Sequence, residues 1–288
     1  MTTPSTSIKR RPSQLWVHAL LIPICIVTLY PVLWVIGLAV TPGEAHLTSG
    51  LWPIPAHPSL EHFSALLTSR NANGNFIFLR QLFNSLVVAS ATTLVGVGLS
   101  VTAAYALSRF AFPGRRFGMS TLLATQMFPA TMMSVPLYAI LNRLHLLDSL
   151  AGLTLVYATT AIPFSVWMLK GYFDTIPREL EEAALLDGAT QGQIFLKVIL
   201  PLARPALAVT ALFSFMTAWN EFVLAATFID DQTRFTLPVA LQRLVGEYQT
   251  EWGQFAAGAL LVSAPVMAVF FALQKHLVGG LTAGGVKG

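Results

Sequence analysis

The sequence predicts an all-α membrane protein of six transmembrane helices with a structured loop between the fourth and fifth, and three observations carry that prediction. The 288 residues are 55% hydrophobic and only 10% charged, against roughly a quarter charged in an ordinary soluble domain. Too few charges remain to cover a surface in contact with water. Long apolar runs recur six times, each near the roughly 20 residues that cross a bilayer core of about 30 Å at about 1.5 Å per residue. Lys and Arg, finally, are divided unevenly between the two sides that those runs create.

The runs cover about 15–40, 82–107, 118–141, 150–169, 200–229 and 255–277. Lys9, Arg10 and Arg11 before the first resemble the start of a signal peptide, but 15–40 is too long for its apolar region and no small-x-small cleavage site follows. It reads as an uncleaved span. Pro23, Pro31, Pro129, Pro136, Pro163 and Pro265 fall inside runs, which membrane helices tolerate where neighbours re-satisfy the freed carbonyls.

With the N-terminus inside, the inner segments hold Lys9, Arg10, Arg11, Arg109, Arg115, Arg116, Lys170, Arg178, Lys197, Arg204, Lys275 and Lys287. The outer ones hold only Arg70, Arg80, Arg143, Arg234 and Arg243. Cationic residues are retained on the cytoplasmic side, so both termini are expected there. This divides the chain into a cytoplasmic segment 1–14, a membrane domain 15–278 whose main inner loop is 174–201, and a cytoplasmic tail 279–288. The outer segment 41–81, rich in Pro, His and Asn, is expected to be irregular or short-helical.

Several function classes fall away. A net charge of +4 with no basic stripe and interleaved aromatics does not suit nucleic acid. The single cysteine, Cys25, permits neither an intrachain disulfide nor a CxxC site, and six dispersed histidines offer no ligand-spaced pair. A membrane-embedded enzyme would need convergent acid, base or nucleophile groups, and none is seen. An ion-coupled secondary carrier is the alternative reading, but only Glu221 lies at membrane depth and no repeated half is detectable.

The loop 174–201 is more than a connector. Pro177 suits the first turn of a helix, and Glu179, Glu181 and Glu182 sit where carboxylates favour the positive end of its dipole. Gly188 can take the left-handed conformation that ends such a helix, and Thr190 with Gln193 has the spacing of a capping box for a second. Leu180, Ala184 and Asp187 share one side of the first helix, with Ala183 and Leu186 on another. Helices that lie on lipid carry Lys or Arg on the polar face. This one is acidic, which favours a protein partner.

The segment Glu182-Ala-Ala-Leu-Leu-Asp-Gly188, followed by Ile199-Leu-Pro201, resembles the EAA loop of bacterial ABC importer permeases. The resemblance implies the type I importer permease fold, in which this loop is the coupling helix seated in a cleft of the cytoplasmic ATPase. Carried over, Glu182, Ala183, Ala184 and Gly188 are contact positions, with Asp187 and Pro201 in the same motif. The segments Arg109-Phe-Ala-Phe-Pro-Gly114, Gln126-Met-Phe-Pro-Ala130, Lys170-Gly-Tyr-Phe173 and 280–288 are similar to the carbohydrate branch of MalG-type maltose permeases. That branch implies a sugar substrate, maltose, maltodextrin or a related oligosaccharide. It also implies a second permease, different from this one, an ABC ATPase dimer that binds the ATP and Mg, and an extracytoplasmic sugar-binding protein.

Three further sets of residues are candidates. Trp219, Asn220 and Glu221 could line a sugar pathway, since carboxylate and amide groups bond hydroxyls and an indole can stack on a sugar ring. They could equally form an interhelical hydrogen bond that holds a permease dimer. Glu247, Tyr248 and Trp252 lie in a segment resembling the loop by which such subunits reach the binding protein, although Trp252 also suits an interfacial aromatic anchor. Gly284, Gly285 and Lys287 belong to a tail that by resemblance reaches the ATPase interface, or else frays. It is no phosphate-binding loop, because Val286 stands where the Lys would be.

Overall fold

The computed structural model describes residues 14–43, 53–246 and 251–285, and among them every long element is helical. In chain order these are α1 (Gln14–Val40), α2 (Glu61–Thr68), α3 (Ile77–Arg109), α4 (Arg115–Thr125), α5 (Ala130–Arg143), α6 (Leu150–Thr175) and α7 (Glu179–Leu186). There follow α8 (Gln191–Ile194), a π-turn (Phe195–Ile199), α9 (Leu200–Leu202), α10 (Arg204–Asn220), α11 (Val223–Phe228), α12 (Leu237–Gln242) and α13 (Trp252–Gly285).

Four helices are long and apolar enough to cross a membrane, within α1, α3, α6 and α13, and a fifth span forms if the bent pair Gln191–Leu202 and Arg204–Asn220 counts as one. Two expected spans differ from the sequence reading. The run 118–141 is not one helix. It is broken between α4 and α5, where Pro129 directly precedes α5 and the Gln126 amide donates to the Thr160 carbonyl across the gap (3.0 Å). The run 200–229 is interrupted twice. A 77° bend falls between Leu202 and Arg204. Pro205, at the start of α10, has no N–H to continue the ladder and its ring crowds the carbonyl one turn back. The chain leaves helical geometry again at Glu221, before α11. At the C-terminus, by contrast, α13 continues through Gly285, beyond the expected end of the last span.

The chain divides into two compact units, 1–66 with 245–260, and 67–244 with 261–288. In the first, the side chains of α1 described from Trp16 to Tyr30 are exposed, as suits a helix bathed in lipid. Beside it the His62 ring bonds the Thr41 carbonyl (2.8 Å) and the Glu61 carboxylate accepts from the Gly43 N–H. The second unit is built on α3 packed against α6, with α10 lying over both. Small residues make this possible: Ala89, Gly96, Ser100 and Ala104 on α3 and Ala158, Ala161 and Ser165 on α6 lie in the interior or at the contact, letting backbones approach. Several buried hydroxyls are satisfied locally or across helices, as in Ser165 with Ser214 (3.3 Å) and Thr210 with the Ala206 carbonyl (2.8 Å), whereas Thr92 Oγ1 has no partner among the described residues.

Candidate functional site

Local sequence determines the shape of the loop after α6. The helix α7 begins at Glu179, two residues after Pro177, with Arg178 as its N-cap and Glu179, Glu181 and Glu182 in its first turn. It ends in a Schellman motif. The Gly188 N–H donates to the Leu185 carbonyl (3.0 Å) and the Ala189 N–H to the Ala184 carbonyl (2.9 Å), while Gly188 has φ of 82°. A Cβ at Gly188 would meet nothing within 4 Å in this chain. Glycine is therefore required here by backbone conformation, not by internal crowding. The capping box read from the sequence is formed: Thr190 Oγ1 accepts from the Gln193 N–H (3.4 Å) and Gln193 Oε1 from the Thr190 N–H (2.9 Å). After it the π-turn, closed by the Leu200 N–H on the Phe195 carbonyl, leads to Pro201 and the bend.

The loop turns an apolar and acidic face outward. Glu182, Ala183, Asp187 and Gly188 are exposed, Ala184 and Pro201 partly so. Leu180 and Leu185 are exposed as well, and Leu186 is 90% exposed. Leucines left out in this way on a short helix are an unfinished surface.

Its base, in contrast, is fixed. Glu181, on the inner side of α7, forms an ion pair with Arg109 at the end of α3, and the two side chains are only 13% and 7% exposed. Tyr105 donates its hydroxyl to the second Glu181 oxygen (3.1 Å), and Arg109 also donates to the Ile176 carbonyl (3.0 Å). Asp174 accepts from Ser108 (2.7 Å) and pairs with Lys170. Beneath these contacts Tyr105, Phe173, Ile194, Ile199 and Ala203 share one apolar cluster, in which the Tyr105 and Phe195 rings lie 4.8 Å apart. From the sequence, Glu181 stood only as a dipole charge, Arg109 as an inner-side cation opening a family-like segment, and Tyr105 had no role. The one signal was an arginine closing an apolar run 72 positions before a glutamate of opposite sign, which is too generic to choose this pair.

The other candidates fall as follows. Trp219 is 2% exposed and stacked on Phe215 at 5.4 Å, with no partner for Nε1 among the described residues. It sits inside the subunit. Asn220 is exposed and its amide donates to the Met216 carbonyl (2.9 Å). Glu221 accepts from Tyr157 Oη (2.5 Å) and from the N–H groups of Leu224 (2.8 Å) and Ala225 (3.1 Å), so it caps α11 and ties it to α6. Trp252 opens α13, 49% exposed and edge-on to Phe255. Glu247, Tyr248 and Lys287 lie outside the described residues, and Gly284 and Gly285 form the last turn of α13. Among the described residues no group of three or more His, Cys, Asp or Glu could hold a metal ion.

Known proteins agree with this geometry along nearly the whole chain. The family described as "Binding-protein-dependent transport system inner membrane component" matches residues 64–282. The galactooligosaccharides transport system permease protein GanQ of Bacillus subtilis (strain 168) is 36% identical over 283 residues, 98% of each chain. The maltose/maltodextrin transport system permease protein MalG of Vibrio vulnificus (strain YJ016) is 40% identical over 272 residues, 90% of this chain and 91% of that one. Among solved structures, a chain of a bacterial ABC transporter involved in the import of the acidic polysaccharide alginate is 25% identical, with a TM-score of 0.77 over 95% of this chain and 99% of its own. These matches displace the secondary-carrier reading. An all-helical span unit carrying an exposed EAA-type loop on a fixed base belongs to the binding-protein-dependent transport system inner membrane components, the permease subunits of ABC importers.

Proposed function

We propose that this chain is one of two different permease subunits of an ATP-driven oligosaccharide importer, and that a cytoplasmic ATPase dimer grips it at Gly188. The exposed Leu180, Ala183 and Leu186 around the left-handed turn, held on a buried ion-paired base, carry this reading. An apolar knob on a rigid stem transmits force: when the ATPases close, α7 moves, and the Arg109 and Tyr105 contacts pass the motion to α3 and α6. ATP and Mg belong to the ATPase in this scheme. The relatives' names cover galactooligosaccharides and maltose/maltodextrin, and the substrate proposed here is maltose, maltodextrin or a related oligosaccharide.

Around that core, Asn220 offers an exposed amide to a sugar pathway, with Glu221 holding the backbone beneath it. The segment with Glu247, Tyr248 and Trp252 is assigned to an extracytoplasmic binding protein, and Gly284, Gly285 and Lys287 to the ATPase. Both termini and Gly188 then face the cytoplasm, while Asn73 faces outward. Cysteine labelling of intact cells tests this: reaction at position 73 only after permeabilisation reverses the topology.

The decisive experiment is co-purification of the ATPase together with sugar uptake. Gly188→Asp, which strains the turn by on the order of 1 kcal/mol and adds a side chain, abolishes both. Gly188→Asn keeps a side chain of the same size without the charge, and like Asp it enters the left-handed region more readily than other non-glycine residues. It keeps the turn and still weakens attachment. Full attachment and normal uptake in both variants would falsify the assignment.

A further inference from the structure

We propose that the cavity at the start of α4 binds the phosphate of an anionic phospholipid from the leaflet on the Gly188 side. The inference rests on the chain being membrane-spanning and is independent of which solute it carries.

The cavity has a volume of about 870 Å³, and Arg115, Arg116 and Lys170 share its lining with Phe112 and Phe117. The backbone builds it. After α3 ends at Arg109 the chain runs extended through Phe110, and Gly114 with φ of 83° turns it into α4. The first turn of α4, with the positive end of its helix dipole, then opens onto the cavity. Packing of α4 on α6 brings Lys170 to the other wall.

The charges are not cancelled. Lys170 is paired with Asp174. Arg115 donates to the Phe110 carbonyl at 3.4 Å and shares the attraction of Asp174 as the weakest of its cationic influences, and Arg116 is exposed with no hydrogen bond or ion pair among the described residues. One carboxylate thus faces three cations, leaving a positive recess that suits a phosphate. Its position selects the source of that phosphate. Lys170 lies in the last turns of α6, where the apolar span gives way to the polar base of α7. Phe112 and Phe117 are exposed at the same place. A recess that is cationic on one side and aromatic on the other, at the level where headgroups lie, matches an amphipathic anion better than a free one.

The test is native mass spectrometry of the full-length subunit purified with its transporter partners, titrated with phosphatidylglycerol, with phosphatidylcholine and with inorganic phosphate. Wild type is expected to retain phosphatidylglycerol selectively, with no displacement by millimolar inorganic phosphate. The double variant Arg115→Gln/Arg116→Gln is expected to lose about tenfold or more in apparent affinity. Arg116→Lys, which keeps the charge, is expected to retain binding, and this guards against simple misfolding of the double variant. Equal retention of the two lipids, or undiminished phosphatidylglycerol binding in the folded double variant, overturns the site. Displacement by inorganic phosphate overturns the lipid as its source.

Discussion

The two ends of α3 show opposite ways of finishing a membrane subunit. At its start, three polar side chains are bonded to distant segments of the same chain. Asn84 donates to the Thr233 and Phe235 carbonyls (2.8 and 3.0 Å), Gln81 to the Gln232 carbonyl (3.1 Å), and Ser85 accepts from the Leu237 N–H (2.7 Å). Asp148, on the turn before α6, takes the N–H groups of Asp230 and Asp231 (3.2 and 3.1 Å). Phe235 and Leu237 are buried as a result. At the far end of α3, Arg109 and Tyr105 are equally well used, but what they hold is α7 with Leu186 left outside. One end is tied to other segments of the same chain. The other is a stem for the exposed leucines of α7, the surface for which coupling is proposed, and the difference sets residues that stabilise apart from residues proposed to couple.

The contrast breaks most visibly at Arg109. Removing one partner of a buried ion pair leaves an uncompensated charge and costs about 3–5 kcal/mol. Arg109→Ala is therefore expected to lower the unfolding temperature of the purified subunit sharply and to release the ATPase with it. Unfolding unchanged from wild type would mean that Glu181 finds water, and that α7 is not fixed through this pair.

Asn84→Ala probes the opposite end. One buried and one part-buried carbonyl lose their donor, at about 1–3 kcal/mol for a group left fully buried and unsatisfied and less for the other. The expected outcome is a destabilised subunit whose surviving folded fraction still binds the ATPase and transports with normal coupling. If uptake per folded molecule falls with ATPase attachment intact, the segment around Thr233 and Phe235 takes part in coupling and the two ends are not separate in function.

How much of this could be read beforehand depended on distance along the chain. The turn at Gly188 and the box formed by Thr190 and Gln193 involve neighbours a few positions apart, and both formed as read. The breaks near Pro129 and at Ala203 escaped because hydropathy averaged over a window records composition and not chain direction. Trp219 escaped because an indole beside an amide and a carboxylate fits either a pathway wall or a core, and only packing on Phe215 decides. The pairing of Arg109 with Glu181 is a tertiary event between segments that no periodicity links. Asn84 looked like a polar residue in an apolar run, and its two backbone partners lie about 150 positions away.

The smallest effect is expected at Arg234, and it sharpens the comparison because this residue is charged, paired and yet exposed. It bonds the Asp148 backbone carbonyl and approaches the Asp148 carboxylate at 3.3 Å and that of Asp231 at 3.5 Å, with half its side chain in solvent. Water and salt screen such pairs, so Arg234→Ala is expected to cost under about 1 kcal/mol in thermal unfolding, far below Arg109→Ala. The same segment also has a testable pH response. The Asp231 carboxyl is held below the usual carboxylate range chiefly by the Thr233 backbone N–H, then by the Thr233 hydroxyl, with Arg234 a weaker cause. A carboxylate whose folded pKa is depressed contributes its stability above the ordinary value of 3.8 and loses it as pH falls through the lower folded value. Between pH 5 and pH 8, on the order of a unit or more above the ordinary carboxylate range, Asp231 stays ionised with or without Arg234, so the small cost of Arg234→Ala should not vary with pH. A marked loss of stability in Arg234→Ala within that window would show that Arg234, and not the Thr233 hydrogen bonds, organises the charges at this end.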